Sequence, residues 1–219
     1  MDSNFWHQRW ATNQIGFHLG EVNKALLKYW PAMASVRGQR IFVPLCGKTL
    51  DIVWLLQQGA DVIAVELSEI ALDELAADIS NQLSLAIEKR SDGDKIIYEA
   101  DKLTLICGDF FALSSEDVGS VDWSYDRAAL VALPQEMRQQ YSQHLCFISD
   151  NAPQLLITLN YRQDEMAGPP FSLIEQEVRT LYQGNYQVEL QESRELIDQE
   201  PKFKQRGVTS FKQDVYLLR

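Results

Sequence analysis

Two short apolar runs, RIFVPL (40–45) and DVIAVEL (61–67), flank the stretch KTLDIVWLLQQGA (48–60). Each run is too short for a helix and reads as a buried strand. Between them Leu50, Val53 and Trp54 share one helical face, and Gly59 supplies a stop. Strand, helix and strand in so short a span close as a crossover, with both strands parallel in one sheet. The alternation continues: Ser68 stands as a cap before EIALDELAADISNQL (69–83), with Glu69 and Asp73 near the positive helix end.

The rest of the chain adds strands and helices at the same pace. SDGDK (91–95) is a turn cluster, and IIYEADKLTLICGD (96–109) reads as two strands around a short turn. DWSYDRAAL (122–130) holds a strand end, and Pro134 suits the first turn of a helix through Met137, Tyr141, Leu145 and Ile148. QLLITLNY (154–161) is a strand, and GPP (168–170) breaks the chain before the helix SLIEQEVRTLYQ. YQVELQESREL and VTSFKQDVYLLR form a final strand pair. Ahead of the first strand, Val22, Leu26 and Tyr29 mark a helix ended by Pro31; residues 1–20, with Trp6, Trp10 and Phe17 among polar neighbours, are only weakly helical. The expectation is one α/β domain over residues 1–219, with a sheet of about seven strands and residues 1–35 as an N-terminal aromatic and helical segment.

Composition narrows the function. A net charge of −11, with 20 scattered Lys and Arg, offers no basic stripe for nucleic acid. No apolar run reaches the ~18 residues of a membrane span, and MDSNFWHQRW lacks the form of a secretory signal. Three scattered cysteines, Cys46, Cys107 and Cys146, make neither a disulfide framework nor a zinc site, which points to a reducing cytoplasm and no metal.

The letters G-K-T at 47–49 invite a phosphate-binding loop, but the first glycine of G-x-x-x-x-G-K-[ST] falls on Phe42, inside the strand. A single glycine also leaves little room for the pyrophosphate of a dinucleotide. Glu66 survives both exclusions. It closes the second strand nineteen residues after Gly47, where an acid accepts hydrogen bonds from ribose hydroxyls. Adenosine without phosphates, as in S-adenosylmethionine, fits that pattern; a helix-capping acid is the plainer reading. Asp109 ends a later strand, as an adenine contact or a turn residue. Arg127 follows a strand end, either facing a ligand or in an ion pair with Asp126 or Asp122. Cys46 and Cys107 suit small buried apolar roles, His144 a surface or core role, and His18 lies within reach of the same site. The N-terminal aromatics suit a lid or simple packing.

Three segments, FWHQRWATNQIGFHLGEVNKALLKYW, VPLCGKTLDIVWLLQQGADVIAVELSEIAL and YDRAALVALP, together resemble the thiopurine S-methyltransferase family in its bacterial form. The resemblance implies a Rossmann-like S-adenosylmethionine-dependent methyltransferase fold: a mostly parallel seven-stranded sheet with helices on both faces. It implies S-adenosyl-L-methionine as cofactor, and methylation of sulfur on small aromatic and heterocyclic thiols such as thiopurines, with links to selenium and tellurium detoxification. By the same resemblance Trp10 closes over the cofactor, with Trp6 beside it. Leu45 contacts the cofactor, Glu66 binds the ribose, Asp109 and Phe110 hold the adenine, Arg127 lies beside the methyl donor, and Phe17 faces the substrate. No nucleic-acid or membrane partner is implied, and a monomer is expected. The chain shows no obvious general base, which suits acceptors acidic enough to arrive as thiolates. Two rivals stay open: a nucleotide-dependent oxidoreductase, and a non-catalytic adenosine-ligand binding protein.

Overall fold

The structure is a computed structural model that describes residues 3–16, 18–33 and 35–219. In chain order the elements are α1 (Ser3–Ala11), α2 (Lys24–Met33), β1 (Arg40–Val43), α3 (Asp51–Gln57), β2 (Asp61–Glu66), α4 (Glu69–Leu83), β3 (Glu88–Asp92), β4 (Lys95–Ala100) and β5 (Leu103–Cys107). Then follow α5 (Ser115–Val118), β6 (Trp123–Arg127), α6 (Gln135–Ile148), β7 (Gln154–Tyr161), α7 (Glu175–Tyr182), β8 (Val188–Glu195), α8 (Pro201–Lys204) and β9 (Phe211–Leu218). Among the described residues no helix is long and apolar enough to cross a membrane.

The strands form one sheet in the order β3-β4-β5-β2-β1-β6-β7-β9-β8. The five central strands, β5 to β7, are parallel, and antiparallel pairs flank them on both edges. Sequence order runs outward from β1 in one direction through β2, then restarts beside β1 with β6. That reversal opens a crevice at the carboxyl ends of β1 and β6, where ligands of open α/β sheets bind.

Strand residues alternate between two cores, as a pleated strand requires. Ile41 and Val43 join one cluster with Leu26 and Trp30 of α2, Ile52 and Leu55 of α3 and Leu72 and Leu75 of α4. Phe42 between them joins the opposite cluster with Tyr141 and Leu145 of α6 and Val178 and Tyr182 of α7. Removing a fully buried Leu such as Leu26 or Leu145 to Ala would cost about 2–5 kcal/mol. A third, smaller cluster, Tyr161, Met166, Phe203, Val208 and Phe211, sits at the β9 side of the crevice.

Among the described residues the sheet has nine strands rather than about seven. β3 reads EKRSD, is exposed throughout and pairs with β4, so it carries no apolar pattern to betray it. Pro31 does not end α2 but lies inside it, in the last turn. Pro31 has no N–H to offer Leu27 O one turn earlier, and Leu27 is 42 % exposed, so the missing donor is tolerated. The weakly amphipathic start forms α1, with Trp10 as its buried residue.

Asp126 ties β6 to the opposite face. It is fully buried, accepts from Tyr141 Oη at 2.8 Å and from Leu130 N at 3.3 Å, and makes no ion pair among the described residues. Burial pushes its carboxyl up from 3.8 to about 6 despite these donors. A folded-state value above the unfolded one means its contribution is fully present below about pH 4 and lost as pH rises through 6. Urea unfolding of the wild type and Asp126→Asn should therefore diverge by roughly 3 kcal/mol over that window, the wild type losing stability and the variant not. Parallel pH profiles would sink the assignment.

Candidate functional site

A cavity of ≈ 720 Å³ occupies the crevice. The loop after β1 forms its floor. Its first residues adopt a left-handed backbone, Leu45 at φ 44° and Gly47 at φ 55°, and Cys46 N donates to Val65 O at 2.9 Å, clamping the loop to β2. Across the crevice, Ala128 after β6 sits at φ 66°. A leucine and an alanine in this conformation are strained, and both face the cavity. Gly47 is needed for a second reason: a Cβ there would lie 3.1 Å from the Trp10 ring, which packs on the loop.

The G-K-T letters resolve differently from a phosphate loop. Lys48 Nζ lies 2.5 Å from Glu74 Oε2 of α4. Thr49 Oγ1 accepts from Arg127 Nη2 at 2.5 Å and from Asp51 N at 3.2 Å. The lysine and the hydroxyl are engaged by the protein itself.

Glu66, only 7 % exposed, ends β2 in the cavity wall. Its Oε2 accepts from Gly47 N and its Oε1 from Ser68 N, both at 2.9 Å. Burial raises its carboxyl above the usual range, and these backbone donors oppose the rise. Capping of α4 falls to Ser68, whose Oγ accepts from Ala71 N. Gly47 N and Ser68 N use only part of a carboxylate's accepting capacity of about four lone-pair sites, so the group can also take a ligand's hydroxyl.

Arg127 ends β6, and its partner is neither Asp126 nor Asp122. Asp122 accepts from Arg40 N at 2.8 Å, and Asp126 is turned to Tyr141. Arg127 Nε instead donates to Asp51 Oδ2 at 3.1 Å. Asp51 is wholly buried and also accepts from Tyr125 Oη at 2.9 Å and from Asn23 N at 2.7 Å. The alternation explains the correction: Asp126 and Arg127 are neighbours on one strand and point to opposite faces.

Asp109 is exposed at the cavity rim and caps a single helical turn by accepting from Phe111 N at 3.0 Å. Phe110 is buried, packed 4.9 Å from Tyr141 and 5.1 Å from His144. His144 Nε2 donates to Phe110 O at 3.0 Å, so this histidine holds the turn in place. His18 lines the cavity; burial, then Lys48 and Arg127, lower its pKa, which keeps it neutral near pH 7. Cys46 and Cys107 are buried thiols, pushed up by burial, Cys107 to about 11. Trp6 lines the cavity too, and Phe17 lies outside the described residues. Trp10, Leu45, Glu66, Asp109, Phe110 and Arg127 are thus brought to one cavity.

Several lining residues carry no expectation from the sequence. Leu133 and Met137 begin α6's end of the wall, Leu159 comes from β7, and Phe203 and Phe211 come from α8 and β9. Pro169 and Pro170 also face in, with Tyr161 Oη donating to Pro170 O at 2.6 Å. GPP was legible only as a chain break; an apolar dipeptide so rigid just after a central strand was the available signal.

A family model described as Thiopurine S-methyltransferase (TPMT) matches residues 1–219. The chain belongs to the thiopurine S-methyltransferase family. A protein of that name from Pseudomonas fluorescens is 42 % identical over 219 residues, covering 100 % of this chain and 97 % of the relative. One from Pseudomonas aeruginosa is 44 % identical, covering 100 % and 99 %. Among solved structures, magnesium protoporphyrin IX methyltransferase from Synechocystis, with bound SAH, superposes with a TM-score of 0.68 at 14 % identity, covering 100 % of both chains. TehB from Haemophilus influenzae gives 0.62 at 13 % identity, covering 92 % of this chain and 63 % of that one. At such identities the likeness concerns fold, and it is the Rossmann-like methyltransferase fold expected from the sequence. Family membership makes this chain a methyltransferase and sets aside the oxidoreductase and the non-catalytic rivals.

Proposed function

We propose that the chain transfers a methyl group from S-adenosylmethionine to the sulfur of small aromatic or heterocyclic thiols, thiopurines among them. The carrying observation is the arrangement of one cavity. Glu66 stands at the β2 side, Arg127 near the middle, and an apolar wall of Leu133, Met137 and Pro169 beyond. When bound, S-adenosylmethionine supplies a methyl group on a sulfonium. Glu66 would accept from the ribose hydroxyls, with Asp109 and Phe110 flanking the base and Leu45 beneath. Trp10 would cover the donor side, and its ring suits a cationic neighbour. Arg127 would hold an anionic thiolate or the donor's carboxylate, its orientation fixed by Asp51 and Thr49.

Holding nucleophile and methyl aligned, with water excluded, supplies most of what such a displacement requires. An acceptor that arrives ionised needs no base. His18, a cavity histidine whose pKa burial lowers, would be able to take a proton from a less acidic acceptor. Selenolates, softer still, fit the same demands. The N-terminal segment would act as the cover, and the unit would work as a monomer on small molecules rather than nucleic acid. Three free buried thiols suit a reducing cytoplasm.

Turnover with S-adenosylmethionine and thiols of graded acidity tests this reading. The rate should follow the thiolate fraction and level off above each acceptor's own pKa. A profile that ignores acceptor acidity and tracks one enzyme group near neutrality would replace pre-ionisation with His18 as base. Binding of the donor without turnover of any thiol would remove the acceptor assignment.

A further inference from the structure

The cavity's charges do not match the chain that carries it. The protein is strongly acidic at −11, a balance that repels anions at long range. Yet at the β9 side of the cavity the segment 200–206 brings Glu200, Lys202 and Arg206 into the wall. Lys202 is already engaged, 3.5 Å from Glu200 Oε2 and donating to Gly16 O at 2.9 Å. Its neighbour Lys204 is held by Asp198 at 2.7 Å. Arg206 is different. The only side-chain partner of its guanidinium among the described residues is Met166 Sδ at 3.9 Å, a weak thioether acceptor. No carboxylate pairs with it there.

Arg206 also has an aromatic approach. Phe203 and Phe211 stack at 4.2 Å beside it in the same wall. β9, which begins at Phe211, lies two strands beyond β6, which ends at Arg127, about 10 Å across the sheet, and the register on β7, Arg127 opposite Ile157 and Phe211 opposite Tyr161, adds about 13 Å along it. An acceptor with its sulfur toward Arg127 therefore extends along an apolar wall toward an unpaired guanidinium. Arg9, another lining cation that pairs with no carboxylate among the described residues, sits over the Phe5 ring on α1, which packs against α4 on the donor side.

We propose that Arg206 is an anion subsite at the far end of the acceptor cavity. The preferred acceptors are then aromatic or heterocyclic thiols that bear a second, permanently ionised group, such as a carboxylate, away from the sulfur. A planar guanidinium fork matches a carboxylate on two oxygens. This rests on the methyl-transfer reading and names the acceptor class within it.

The test compares 4-mercaptobenzoate with its methyl ester, which keeps an electron-withdrawing carbonyl opposite the thiol and removes only the charge. Wild type should favour the acid, and Arg206→Ala should lower kcat/KM for the acid about tenfold, chiefly through KM. The ester should change less than about twofold. Arg206→Lys should recover part, and added salt should narrow the wild-type preference. Equal losses on both acceptors, or none on either, overturn the subsite. Equilibrium dialysis of the S-methylated acid and its ester reads the same contact without turnover. If neither thiol is methylated but the acid product binds wild type more tightly than Arg206→Ala, the methyl-transfer reading fails and the subsite stands. Equal binding to both proteins removes the subsite.

Discussion

Arg127→Ala should lose stability as well as turnover, by about 3–5 kcal/mol, because it leaves Asp51 buried without a counter-charge. Asp51 is 0 % exposed and keeps two donors in the variant, Tyr125 Oη and Asn23 N, which favours the lower end of that range. A rate measured on Arg127→Ala alone would mix two effects. The double variant Asp51→Asn with Arg127→Ala separates them: it should regain most of the lost stability and none of the rate. Arg127→Lys should recover charge but not the simultaneous reach to Asp51 and Thr49. The measurements are urea unfolding and turnover on the same preparations. A midpoint for Arg127→Ala equal to wild type would show that the ion pair contributes nothing and that Arg127 serves the ligands alone.

Glu66→Ala should weaken S-adenosylhomocysteine binding about tenfold to a hundredfold, the worth of hydrogen bonds to a charged acceptor of roughly 1.5–3 kcal/mol. It also takes the acceptor from Gly47 N and Ser68 N, so the loop after β1 should loosen in the same variant. Glu66→Gln retains one carbonyl oxygen and should lose less on both counts. The pH dependence has opposite signs for binding and folding. Burial raises the Glu66 carboxyl above 4.5, so its contribution to stability falls as pH rises through that raised value. Ligand binding needs the ionised form, so affinity should fall as pH drops through the same value. Calorimetric titrations run from neutral pH down through 4.5 would read this in wild type. A flat affinity profile in wild type, matched by unchanged affinity in folded Glu66→Ala, would leave Glu66 as an anchor for the loop and nothing more.

The central sheet was legible because its strands are buried on both faces. RIFV, DVIAVE and QLLITLNY are continuous apolar runs, and runs so short and so apolar belong inside a covered sheet. β3 was not legible because an exposed hairpin strand of EKRSD is stabilised by backbone pairing with β4, which leaves no trace in side-chain pattern. Glu66 could be singled out because strand end and ligand edge coincide in a parallel sheet. The partner of Arg127 could not, since Asp51 lies 76 positions away and only the folded register brings the two together. An acid wedged between Leu50 and Ile52 was the one clue that it would be buried. The far wall escaped for a related reason. Phe203, Arg206 and Phe211 belong to a short helix, the turn after it and a strand start whose apolar residues look like ordinary packing until the sheet places them beside β7.

The position of β9 has a consequence for synthesis. It is the last strand in sequence order, yet it lies between β7 and β8, and β8 has no other neighbour in the sheet. Until residues 211–218 leave the ribosome, β7 presents an open edge and β8 has nothing to pair with. Such edges invite association with other chains. The acceptor wall waits for the same residues, because Phe211 and Gln213 line the cavity. The donor floor, built from β1, β2 and the loop between β1 and α3, is in the chain some 140 residues earlier, and the turn at Asp109 and Phe110 some 100 residues earlier. A nascent polypeptide can therefore shape the donor floor long before it can finish the acceptor wall, and the catalyst is assembled only with its final strand.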